Sequence, residues 1–178
     1  MRKLLIAALV LVALGVAALL GAPAFLDGRL NTVIHPAPYA ASPQARAVHQ
    51  NLFVADLHDD ALLWNRDLLQ RYDRGHSDVP RLLDGRVALQ VFASVTKTPK
   101  GQNYDSNSAD GDNITLLAFG QMQPVRTGNS LLQRSLWHAE KLDKVARGSN
   151  DLTLVKSAAD LNGLIARRGI KGATQMGM

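Results

Sequence analysis

Apolar and polar positions divide the chain into a leader and a mixed body. Leu4 to Leu20 is an unbroken run of apolar residues and glycine behind the short positive stretch Met1-Arg2-Lys3. Such a run reads as an export signal or a membrane helix. It sits at the low edge of the roughly 17–25 residues a spanning helix needs, and Gly21 to Leu26 would lengthen it. Residues 27–44 carry Pro36, Pro38 and Pro43 among small and polar residues and read as a linker. Residues 45–51 predict a short helix or turn, and Leu52 to Leu57 a short apolar strand.

Ala61 to Tyr72 mixes leucines with polar residues and suits a loop with a helical turn. Asp78 to Gly85 predicts a helical turn closed by glycine. Val87 to Val95 is apolar except for Gln90 and Ser94, the pattern of a parallel strand covered on both faces. A polar loop follows over 97–112. Asn113 is placed to cap a helix through Met122, ahead of Pro124. Asn129 or Ser130 is placed to cap a longer one, with Leu132, Leu136, Ala139, Leu142 and Ala146 on one stripe and Gly148 at its end. Leu152 to Val155 predicts a third strand, and Ser157 caps a helix through Arg168 that Gly169 stops. Strands alternating with helices argue for βα units, a parallel sheet and the α/β class.

With 178 residues the chain has room for about one domain. The divisions expected are 1–26 for signal peptide or anchor, 27–44 for linker and 45–178 for the domain. Ala22-Pro23-Ala24 has the form of a signal-peptidase site, so cleavage after Ala24 competes with retention as an anchor. Either outcome places the body on the exported side, periplasmic or extracellular, with Arg2 and Lys3 inside. There are no cysteines, so disulfides and thiolate metal sites are excluded, and any metal must be held by His, Asp or Glu. The net charge of +5 is spread thinly and aromatics are only 5%, which argues against nucleic-acid binding and allows a mild attraction to anionic headgroups.

The densest chemistry is Val54-Ala55-Asp56-Leu57-His58-Asp59-Asp60. Alternate residues of a strand share a face, so Asp56, His58 and Asp60 fall on one side and Asp59 on the other. An imidazole and a carboxylate at i, i+2 can reach one cation, and this donor pair suits zinc. The competing reading is a strand end whose acids face water.

Several segments in order resemble the membrane (renal) dipeptidase family of zinc peptidases. Asp56-Leu57-His58-Asp59-Asp60 is similar to its D-x-H-x-D. His76-Ser77-Asp78-Val79-Pro80-Arg81-Leu82, followed by Gly85 to Ser94, resembles its H-x-D-[IV]-P-R-[LM] helix and G-x-V-x-x-Q-x-[FW]-x-[SA] strand. Ala139-Glu140-Lys141-Leu142 and Val155 to Leu161 complete a likeness over roughly residues 50–165. The resemblance implies the N-terminal portion of a (β/α)8 TIM-type barrel, with two zinc ions at the C-terminal ends of its strands. It implies hydrolysis of a dipeptide substrate, with His58 and Asp60 as the first two metal ligands. Asp56 could orient a ligand or be structural; His76 suits a loop or cap; His35, His49 and His138 read as surface or packing residues.

The family also supplies a bridging glutamate on the strand after the helix ending at Arg168, then two histidines further on. Gly169 to Met178 holds neither residue type. Three strands are countable, against a barrel of typically ~250 residues. The expectation is therefore an incomplete barrel, an N-terminal fragment from a truncated or frame-shifted reading frame, with no catalytic group of its own and inactive alone. The alternative is a membrane-anchored non-catalytic protein derived from the same fold.

Overall fold

A computed structural model describes residues 1–168 and 174–178. The chain is a mixed α/β protein with a parallel four-stranded sheet behind an apolar N-terminal helix. That helix, α1 (Arg2–Leu30), runs through Pro23 and ends past the expected linker boundary. The helix is exposed as far as Gly21, whereas Pro23 and Asp27 are buried against the domain.

Local capping chemistry sets the starts of the next helices. Ser42 accepts from the Ala45 amide at 3.1 Å and starts α2 (Pro43–His49), with proline in its first turn. β1 (Val54–Asp59) follows, then a 3-10 turn at Ala61–Leu63. Asp78 accepts from the Arg81 amide at 2.9 Å and starts α3 (Val79–Asp84). β2 (Val87–Phe92) leads to the polar loop and α4 (Ile114–Gly120). Asn113 takes the cap position before α4, as expected, but its side chain makes no capping bond. Asp112 instead accepts from the Ile114 amide at 2.9 Å, and Arg134 grips its other oxygen at 2.6 Å. Ser130 caps α5 (Leu131–Arg147), accepting from the Gln133 amide at 3.2 Å. β3 (Leu152–Thr153), α6 (Ala158–Arg168) and β4 (Met176–Gly177) complete the chain.

The strand order is β1-β2-β4-β3, all parallel. β4 was not expected. It enters between β2 and β3, and its width is set by packing: a Cβ on Gly177 would lie 2.6 Å from Leu164 Cδ2 and 3.0 Å from Leu89 Cδ1. One core gathers Leu62, Leu68, Val79, Val145, Leu152 and Met176 between sheet, turn and helices.

Three expectations need correction. The first strand starts at Val54, and it is an exposed edge: Leu57 is 71% exposed and Leu52 51%. Among the described residues β1 pairs with β2 alone, and an edge strand with one partner leaves side chains open to solvent. β2 is not covered on both faces; Ala88 and Gln90 are fully buried while Val91 is exposed, an alternating pattern. The apolar stripe of α5 is turned partly outward, with Leu132 and Leu136 exposed, and the buried positions are Arg134, His138 and Val145. Arg134 draws that face inward because its guanidinium satisfies the carbonyls of Thr96, Thr127 and Gly128 besides Asp112 and Thr115.

Candidate functional site

β1 carries His58 to the rim of the sheet, and Asp60 follows as the residue that opens the 3-10 turn. The His58 Nε2 lies 3.2 Å from Asp60 Oδ1, with the two side chains 72% and 48% exposed. Asp56 uses Oδ1 to accept from the backbone amide of His58 at 3.1 Å, so it steadies the strand and not the imidazole ring. Asp59 faces inward. One of its oxygens accepts from the Ala61 amide at 2.8 Å and the other from the Ser77 hydroxyl. This clamp holds the His58 strand end against the segment that begins α3.

An open cavity of about 450 Å³ lies beside these residues, lined by Asp56, His58, Asp60, Arg66, His76 and Gln90. Gln90 pairs with Asp56 across the β1–β2 register and is fully buried, with its Oε1 lacking a hydrogen bond. His76 lines the cavity, and the capping role in its segment belongs to Asp78, which also accepts from the Tyr72 amide and from Arg81 Nε. Arg66 closes the back. It donates to the Ser77 carbonyl at 3.0 Å and stands 3.1 Å from Asp27 at the end of α1. Burial holds the Arg66 pKa below its ordinary value, and Asp27 is the largest effect in the other direction.

A second polar group lies behind the rim, on the inner face of α5. His138 is buried, with Nδ1 2.8 Å from Ser94 Oγ and Nε2 without a hydrogen bond. Burial pushes its pKa down to about 4, helped by Lys141 and Arg134 and opposed by Asp60. Lys141 donates to the carbonyls of Leu62 and Trp64, and burial followed by Arg66 lowers it to about 8. Sequence periodicity ranked the leucines of α5 above these residues. The available signal was the polar series Arg134, His138, Lys141 at helical spacing, which a reader looking for apolar stripes passes over.

The donor chemistry of His58 and Asp60 fits a zinc ion: one imidazole nitrogen and one carboxylate oxygen, adjacent and open to a cavity. Asp56 and Asp59 are committed to backbone and hydroxyl donors. Among the described residues, no group of three or more His, Cys, Asp or Glu side chains comes together to hold a metal. Comparison with protein-family models, with curated proteins and with solved structures gave no match.

Proposed function

We propose that this chain carries the opening segment of a zinc-dependent dipeptidase, attached to a membrane through α1 on its exported side. The observation that carries the reading is the joining of two separate sequence segments at one cavity: His58 and Asp60 meet at 3.2 Å, and Asp59 bonds to Ser77 of the His76–Leu82 stretch. Those are the segments on which the dipeptidase resemblance rests. β1 and β2 are parallel neighbours consecutive in the chain, as barrel strands are, whereas β4 lies between β2 and β3, a crossover that departs from the sequential order of a barrel. β4 follows α6, the place where the resemblance expects a glutamate-bearing strand, but Met176 and Gly177 offer no carboxylate.

His58 and Asp60 would hold the metal, Asp56 would fix the His58 backbone, and Asp59 would fix the turn that presents Asp60. Bound zinc would supply a water activated for amide hydrolysis. Two side chains leave an ion largely hydrated, short of the three protein ligands usual at a catalytic zinc. The chain should therefore bind zinc weakly and turn over no dipeptide. That two-donor limit also favours the second reading, a membrane-anchored non-catalytic protein built on the same strands.

The test is zinc titration calorimetry on the full chain, beside hydrolysis of a dipeptide panel. Weak binding lost in both His58→Ala and Asp60→Ala supports the site. Binding indifferent to both substitutions removes it. Robust turnover by the chain alone would overturn the incomplete-site reading.

A further inference from the structure

We propose that α1 and an apolar shoulder beside its C-terminal end form one continuous lipid-facing surface, which holds the domain and its cavity against the bilayer. The inference rests on reading α1 as a retained membrane helix. About 20 residues of helix cross the ~30 Å hydrocarbon layer. Counted from Leu4, that length ends near Pro23, the first residue of α1 that is buried in protein. From there α1 is part of the domain. Gln121 Nε2 donates to the Pro23 carbonyl at 3.3 Å, and a Cβ on Gly120 would lie 2.5 Å from Leu26 Cδ1. Asp27 is buried between Arg66 and Arg74 at 3.1 and 3.0 Å.

The shoulder lies at that junction, where α4 packs on α1. Leu116 and Phe119 of α4, then Met122 and Val125, are exposed, Leu116 at 79% and Val125 at 83%, and Phe25 of α1 is exposed as well. Phe119, Met122 and Val125 are neighbours: a Cβ on Gly128 would meet Phe119 Cζ at 2.8 Å and the Val125 carbonyl at 3.3 Å, and the Met122 amide donates to the Phe119 carbonyl. Large apolar side chains clustered in water are unfavourable and mark an interaction surface. Their position where the spanning helix emerges selects the bilayer as the partner, because that level is the headgroup boundary into which apolar side chains dip. Asn31, one turn beyond Asp27, lines the candidate cavity, so the cavity adjoins the end of α1.

The chain has no cysteine, so single cysteines can be placed without background. Leu116→Cys, Val125→Cys and, in the distant polar loop, Tyr104→Cys would each carry an environment-sensitive fluorophore. The full chain would be reconstituted in vesicles of zwitterionic and anionic phospholipid, with nitroxide lipids as quenchers and intact mass measured on the recovered protein. Expected are an intact α1, blue-shifted emission, and quenching at 116 and 125 several-fold stronger than at 104. Water-like labels at 116 and 125 on a chain that floats with the vesicles would overturn the shoulder and leave the membrane reading of α1 standing. Failure to float, or a mass showing cleavage after Ala24, would overturn both. Shielding at 116 and 125 in detergent alone, with a dimeric mass, would assign the shoulder to a second copy of the chain. None of these outcomes depends on the zinc reading of His58 and Asp60.

Discussion

Asp27→Ala should destabilise the domain far more than its place at the end of a leader helix suggests. The carboxylate is 2% exposed, and it receives Asn31 Nδ2 at 2.8 Å and Arg74 Nε at 3.0 Å while facing Arg66 Nε at 3.1 Å. The Arg66 side chain is itself 3% exposed. Without Asp27 its main opposing charge is gone, and burial already works against the guanidinium. Breaking one partner out of a buried ion pair costs about 3–5 kcal/mol, mostly because the remaining charge is stranded. For a chain of this size 1 kcal/mol moves Tm by roughly 2–4 °C, so a fall of roughly 6–20 °C is expected. The assay is thermal unfolding of the full chain in detergent by circular dichroism. Asp27→Ala with Arg66→Met should recover part of the loss, since the double variant leaves no buried charge behind. Amide exchange at Ala61 should also quicken in Asp27→Ala, because Arg66 holds the Ser77 carbonyl and Ser77 holds Asp59. A Tm unchanged within about 2 °C, or strictly additive substitutions, would refute the reasoning.

Arg134→Met should cost about 3–5 kcal/mol, read as a lower denaturant midpoint, because it abandons three loop carbonyls and the Asp112 carboxylate together. Gly75→Ala should lower Tm and loosen Arg66, since φ is +70° there and a Cβ would come within 2.2 Å of the Arg66 guanidinium. His138 makes stability pH-dependent with a definite sign. Its folded pKa of about 4 lies below the ordinary 6.5, so between those values the unfolded chain binds a proton that the folded chain refuses. Stability should fall as pH drops through that window, and His138→Gln should flatten the fall in a pH series of urea melts. An identical slope in the variant would show that burial, Lys141 and Arg134 do not hold the ring neutral against the pull of Asp60.

Two of the caps read from the sequence hold. Ser130 and Ser157 each accept from the amide three residues on, so their neighbours in sequence are their neighbours in space. Asn113 failed as a cap for a tertiary reason: Arg134, on another helix, fixes Asp112 in the competing position. The same arginine explains why the leucines of α5 misled, because hydrophobic spacing cannot register a buried guanidinium that collects loop carbonyls. β4 was unreadable because two residues, one of them glycine, carry no strand pattern; its place comes from β2 and β3 on either side. Strand parity did carry information at the site. It separated Asp59 from His58 and Asp60, and Asp59 is the residue that turns inward to Ser77 and Ala61. Parity could not register that the strand is an edge, since exposure depends on what covers it.

The exposed pair and the buried groups behind it define what this rim can do. Parallel strands deliver their C-terminal ends to one side of the sheet, so Asp60 after β1 and Ser94 after β2 arrive together. Ser94 in turn meets His138, whose Nε2 has no hydrogen bond. Cations dominate the inner layer: Arg66, Arg134 and Lys141 all act on the ionisable groups there. The acids Asp56 and Asp60 stand at the exposed front, on the cavity. Such layering favours a neutral imidazole at 138 and keeps the Asp60 carboxylate at the exposed front. It also sets the strength of the contact. His58 and Asp60 are both in water, where a single ion pair contributes about 0–1 kcal/mol. They have no reason to be held together by their own attraction. The Asp59 clamp and the Asp56 contact to the His58 amide, backed by the Arg66–Asp27 junction, fix the backbone beneath them. The course of the chain that presents these two side chains is therefore a property of the domain and its helix.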